Sequence, residues 1–136
     1  MGDINQAISA AASGMHAQQA RMRIAAENIA NASSTADGPN GEPFRRRIPL
    51  LESTTLASGA EGVQVQGSSL DMSAFRREYN PSHPAAGADG YVQMPNVDPL
   101  VEMMDIRDAS RAYEANLNMI DAARNMTARA LDLLRK

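Results

Sequence analysis

Two side-chain amides, Asn28 and Asn31, stand three residues apart in the stretch ENIANASST, residues 27–35, where a segment rich in alanine and methionine gives way to small polar residues. An amide carries donors and an acceptor, so such a pair can bind exposed backbone of either kind, on a neighbouring loop or on another subunit. The plainer alternative is that asparagine tolerates the left-handed conformation and ends helices. Six carboxylates, Asp71, Glu78, Asp89, Asp98, Glu102 and Asp105, would allow acid–base chemistry between a pair of them, but no feature singles out two. His16 and His83 have no second ligand at metal-binding spacing. Arg45, Arg46 and Arg47 form a basic triplet flanked by Glu42 and Glu52, which suits an exposed strand or an inter-subunit contact better than a nucleic-acid patch. No Ser/His/Asp order, P-loop or dinucleotide fingerprint appears. The expectation is therefore no catalytic set, no cofactor and no metal.

The bulk properties narrow the class further. A length of 136 residues suits one modest core, and a net charge of -3 argues against general nucleic-acid binding. The absence of cysteine excludes disulfides and thiolate metal sites. No apolar run is long enough to span a bilayer. The opening MGDINQAISAAASGM lacks the basic start and dense apolar stretch of a cleaved secretory signal, so work outside the cytoplasm would require another exit route.

The residues that position these groups fall into three segments. All seven prolines lie between Pro39 and Pro99, and seven of the nine glycines lie between Gly38 and Gly90. The flanks are nearly free of helix breakers, which reads as helix, non-helical insert, helix. The expected division is 1–32, 33–97 and 98–136. In the first flank Ile4, Ile8, Ala11, Met15, Met22, Ala25 and Ile29 repeat by four and three, a heptad register for a helix from about Asp3, as N-cap, to about Asn31. The last flank carries two such stripes. One includes Ile106, Tyr113, Leu117, Ile120, Leu131 and Leu134; the other includes Ala109, Asn116, Met119, Ala123, Met126 and Leu133. One narrow stripe suffices for a two-stranded coiled coil, so a double face implies several neighbours. In the middle, Phe44–Glu52 (broken by Pro49), 62–67, 74–79 and 90–94 read as short strands, with turns at 38–43 and 79–84. The fold class expected is mainly α with a small β insert, the long terminal helices paired as a coiled coil. The first stripe holds only three Ile and two Met, so its helix is expected to fray until it meets partners beyond its own chain.

With these residues in view, the chain resembles the flagellar basal-body rod proteins, of the proximal-rod type, over nearly its whole length. AAENIANASS resembles the signature of flagellar axial proteins, its core carried by Asn28, Ile29, Ala30 and Asn31. GPNGEPFRRR looks like the turn and arginine strand of this type. DGYVQMPNVDPLVEMMD, with Tyr91, Met94, Pro95 and Asn96, and ASRAYEAN, with Arg111, Tyr113 and Asn116, resemble its two further blocks. The Ser-rich SSLDMSAFRREYNP departs from the pattern, and Pro99 after Asp98 fits a capped helix start.

The resemblance implies a non-enzymatic structural subunit of a helical tube, the drive shaft crossing the periplasm, exported unfolded by the flagellar type III apparatus without a cleaved signal. The partners it implies are further copies of the chain and the other rod proteins FlgB, FliE and the distal-rod FlgF and FlgG, with no nucleic acid. Another axial protein of FlgB type, a cytoplasmic coiled-coil adaptor and a carboxylate-dependent hydrolase are the alternatives.

Overall fold

A computed structural model describes residues 2–135. Two helices, α1 (Gly2–Ala30) and α2 (Pro99–Arg135), enclose two small antiparallel ribbons, β1 (Arg47–Thr55) with β2 (Glu61–Leu70), and β3 (Arg76–Tyr79) with β4 (Tyr91–Met94). At 1.5 Å per residue the helices run to about 43 and 55 Å. The predicted architecture of terminal helices around a small β region is present.

The helices are antiparallel, since Gly14 lies against Asn116 near their middle while Asn28 lies by Arg47, whose neighbour Arg46 pairs with Glu102. The face that α2 turns inward is one stripe: Ile106, Ala109, Tyr113, Asn116, Ile120, Ala123 and Thr127, spaced by three and four and all buried or half-buried. The opposing face of α1 is built largely from small residues, with Ala11, Ala17, Ala20, Ile24, Ala25 and Asn28 buried. Small side chains let the two backbones approach closely, and they explain why the buried face lies roughly a third of a turn round the helix from the stripe marked by the larger Ile and Met residues. Ile4, Ile8, Met15, Met22 and Ile29 sit half-buried at its edge. On α2, Ile120 is buried and Ile106 half-buried, whereas Leu117, Met126, Leu131 and Leu134 are exposed in the single chain. None of residues 128–135 is even half-buried, because they extend about 12 Å past the start of α1.

Both helix starts can be read locally. Asp98 Oδ1 accepts from the Leu100 N–H at 3.0 Å, so Asp98 caps α2 and Pro99 takes the first helical position, where its missing N–H costs nothing. For α1 the expected N-cap is corrected: the helix already includes Gly2, and Asp3 lies within its first turn, where a carboxylate favours the helix dipole without capping it.

Gly14 is a contact residue. A Cβ built on it would lie 2.7 Å from Asn116 Nδ2. Gly14→Leu should therefore wedge the helices apart and cost about 1–3 kcal/mol through overpacking. That exceeds the roughly 1 kcal/mol that leaving glycine gains in helix propensity. Urea unfolding followed by circular dichroism will register a lowered midpoint; an unchanged midpoint would mean the helices do not meet there.

The first ribbon starts later than expected, at Arg47 and not Phe44, because the donors of Arg46 and Arg47 are taken by side-chain amides, described below. Its pairing slips between Pro49 and Leu51: Pro49 faces Ser68 but Leu51 faces Val65, so Gln66 and Gly67 together oppose Leu50. Gly67 has φ +91°, the left-handed value that makes this bulge possible. In the second ribbon Val92 is buried, and Tyr79 and Tyr91 meet edge to face with ring centroids 5.2 Å apart. Gly90 (φ +84°) passes so close to Tyr79 that an added Cβ would lie 2.8 Å from the ring.

Candidate functional site

Two amides and one arginine gather the ends of every segment at a single junction. Asn28, fully buried in the last turn of α1, accepts the Arg47 N–H on Oδ1 at 3.0 Å and donates Nδ2 to the Arg47 carbonyl at 3.0 Å. One side chain thus satisfies both backbone groups of the first strand residue, as a paired strand would. Asn96, between β4 and α2, takes one backbone group of the preceding residue from another direction and ties it to the far strand's end. Its Oδ1 accepts the Arg46 N–H at 2.7 Å, and its Nδ2 donates to the Asp71 carbonyl at 2.9 Å and to Ser73. The Arg46 carbonyl accepts the Asp71 N–H at 2.8 Å, which closes the root of the ribbon.

The Arg46 guanidinium then reaches α2. It donates to Glu102 Oε1 at 2.5 Å and lies 3.5 Å from Asp71 and 3.6 Å from Asp105. Glu102 is only 1% exposed, a carboxylate buried in the first turn of a helix, where the N-terminal dipole also favours it. Burial works to lower the Arg46 pKa, but its hydrogen bond to Glu102 and the charges of Glu102 and Asp71 outweigh that, so the net shift is upward and the cation is held. The flanking arginines extend the junction. Arg45 donates to the Asp71 and Ser73 carbonyls and stacks 4.1 Å above the Phe75 ring; Arg76 donates to the carbonyls of Pro95 and Ala32.

The sequence-marked residues separate into those the junction uses and those it does not. Asn28, buried Pro95 and Asn96 are in it. Asn31 is not: its Nδ2 turns back to the Glu27 carbonyl at 2.9 Å, a bond within its own helix end. Met94 is half-buried beside it, while Tyr91 carries the Arg77 guanidinium 4.7 Å above its ring on the outer face. Arg111 is exposed on α2, and Tyr113 and Asn116 lie half-buried along the helix interface. Three of the six carboxylates, Asp71, Glu102 and Asp105, converge on one guanidinium, Asp89 pairs with Arg77, and Asp98 caps α2. The sixth, Glu78, is exposed on β3. Asp71 is held below the ordinary carboxylate range, first by the Ser73 N–H and hydroxyl and then by Arg46, against the opposing effect of burial. His83 Nδ1 accepts the Ala85 N–H within its turn, and His16 is exposed on α1. Among the described residues no group of three His, Cys, Asp or Glu is placed to hold a metal ion, and no helix is long and apolar enough to cross a membrane. The sequence does not display the role of Arg46, because Glu102 stands there as one of six carboxylates that nothing singles out.

These pairings set the acid stability. Asp71 and Asp89, the latter held low first by the Tyr91 N–H and then by Arg77, both titrate below 3.8, the ordinary aspartate value. A depressed carboxylate contributes its stability in full above that ordinary value and loses it as pH falls through the lower folded value. Stability to urea should therefore stay level from neutral pH down to about 5 and fall below about 4, with a shallower fall in Asp71→Asn. An Asp71→Asn profile that superimposes on the unsubstituted one would remove Asp71 from this account.

Comparison with known proteins matches both ends of the chain. Residues 8–36 fit the family model described as flagella basal body rod protein, and residues 88–133 fit that of the flagellar basal body rod FlgEFG protein C-terminal region. The two matched segments contain Asn28 and Asn96, and the first ribbon falls between them. The chain is 43% identical to the flagellar basal-body rod protein FlgC of Agrobacterium fabrum, covering 99% of this chain and 98% of that one. It is 38% identical to FlgC of Bacillus subtilis over 93% of this chain and 95% of the relative, and 36% identical to FlgC of Salmonella typhimurium over 90% and 92%. With that similarity running from end to end, the chain belongs to the FlgC family of flagellar basal-body rod proteins.

Proposed function

We propose that this chain is a structural subunit of the proximal rod, that its helix pair is a short coiled coil, and that copies and related rod subunits pack on it to build the tubular shaft that carries torque across the periplasm. The observation that carries this reading is the face of α2 that α1 leaves bare. Val101, Met104, Met119, Met126 and Leu133 form an exposed apolar stripe beside the buried one, and Leu131 and Leu134 lie on the overhang. The uncovered surfaces sit at different places on the molecule, so contacts between copies would be heterologous, and such contacts propagate as an open helix unless the rotation closes. The helix-packing residues Ile4, Ile8, Met15, Met22, Leu117, Met126, Leu131 and Leu134 then belong to contacts between subunits as much as to this chain's own core. The motif residues Ile29, Asn31, Tyr91, Met94, Arg111, Tyr113 and Asn116 serve the same assembly. FlgB, FliE, FlgF and FlgG are the neighbours this role implies, reached after export through the flagellar type III apparatus without a cleaved signal.

The segments 1–32 and 98–136 act in this reading as one helical core and 33–97 as its outer insert. Detergent-resistant basal bodies isolated from cells producing the tagged chain should contain it, and deletion should abolish swimming. Recovery of the chain only in the soluble fraction of motile cells would overturn the reading.

A further inference from the structure

The β1–β2 ribbon is attached to the rest of the molecule in an uneven way. None of residues 47–70 is buried, whereas both helices and β4 contribute buried side chains. A two-stranded ribbon without a core of its own is at best marginally stable in water. Its root is nevertheless over-determined, through Asn28 on Arg47, Asn96 on Arg46, and the Arg46 side chain on Glu102. The polar contacts that tie its far end to the first half of α1 are exposed or part-buried. Gln6 donates to the Ser58 carbonyl at 3.2 Å, Ser9 and Ser58 share a hydroxyl contact at 2.6 Å, and the Val63 N–H donates to Ser13 Oγ at 3.1 Å.

Between root and tip the ribbon lies along α1 over an open groove of about 550 Å³, lined by Val63 and Val65 on one side and by His16, Gln19, Ala20 and Arg23 of α1 on the other. Exposed hydrogen bonds of this kind compete with water and hold the tip weakly. The root instead involves a buried amide and a buried ion pair.

From this asymmetry we propose that the ribbon is a strap, hinged at Arg46–Arg47, which rests on α1 in the free subunit and swings off it when the subunit is assembled. The assembly half of this inference rests on the rod reading above; the hinge itself does not.

Hydrogen exchange on the purified full-length chain tests the hinge. Ribbon amides from 51 to 65 should exchange at least about tenfold faster than those of residues 17–28 of α1, while the Arg47 amide on Asn28 stays slow. Gly62→Ala supplies a second handle, since a Cβ there would lie 2.6 Å from Leu56 Cδ1 and 2.7 Å from Ser13 Oγ. It should pry up the tip and speed ribbon exchange without touching the root. Ribbon amides as protected as the helix, or a Gly62→Ala variant that exposes root and tip together, would overturn the hinge.

The swing is read by disulfide trapping. The chain has no cysteine, so Ser9→Cys with Ser58→Cys introduces its only thiols, at positions whose side-chain oxygens now touch. Mild oxidant should cross-link the free subunit readily and the same subunit in isolated basal bodies at least about tenfold more slowly. Equal rates in both states would overturn the swing. If the unsubstituted chain were missing from basal bodies, the rod reading would fall, and with it the assembly step, while the exchange experiment would still decide the hinge.

Discussion

Arg46→Met is expected to lower the folding free energy by about 3–5 kcal/mol, because it leaves the Glu102 carboxylate buried without its cation. The magnitude follows from the asymmetry of the pair. Glu102 is 1% exposed, whereas the Arg46 side chain is 21% exposed and the Asp105 side chain 40%. The losses at Asp71 and Asp105 are those of screened surface pairs, about 0–1 kcal/mol each. The loss at Glu102 dominates. An apolar pair of similar volume removes the buried charge altogether, so Arg46→Met combined with Glu102→Leu should recover most of the lost stability. Urea unfolding of the single and double variants, closed as a thermodynamic cycle, measures the coupling. A single variant within about 1 kcal/mol of the unsubstituted chain would mean that water or another cation reaches Glu102, and the junction would then not depend on this pair.

The same pair marks where reading the sequence stopped. The helices were legible because their signals are local: absence of breakers, a three-four repeat, and Asp98 with Pro99 at the start of α2. The strand candidates were legible for the same reason, with ends that shifted where side-chain amides, and not a neighbouring strand, take the backbone donors of Arg46 and Arg47. The buried face of α1 was not legible as such. Large apolar residues mark Ile4, Ile8, Met15 and Met22, whereas the buried side of α1 is made from Ala17 and Ala20, with Gly14 against Asn116 of α2, residues that hydrophobicity ranks low. The junction was legible only in part. Asn28 and Asn96 lie in motifs that the sequence displays, but their common target is a pair of adjacent arginines separated from them by 19 and 50 residues, a relation that no local pattern carries. Burial of Glu102 is a tertiary property and has no local signature.

Asn28 and Asn31, so alike in sequence, should separate cleanly when each is replaced by alanine. Asn28→Ala removes the acceptor for the Arg47 N–H and the donor to its carbonyl, in a place where the Asn28 side chain itself sees no solvent. An unsatisfied buried backbone group costs about 1–3 kcal/mol, so the pair should cost about 2–4 kcal/mol once partial access of water to the exposed Arg47 is allowed for. Asn31→Ala removes one bond to the Glu27 carbonyl, which still accepts the Asn31 backbone N–H at 3.1 Å. The expected change there is within about 0.5 kcal/mol.

Exchange at the Arg47 amide should accelerate in the first variant and not in the second. In cells, Asn28→Ala should enter basal bodies poorly while still being exported, because an unfolded chain in transit makes no use of the clamp. Asn31→Ala should assemble at a level close to that of the unsubstituted chain. If the order is reversed, with Asn31→Ala failing to assemble and Asn28→Ala entering normally, then the signature acts through a contact with another subunit, and the pairing of Asn28 with Arg47 is incidental to it.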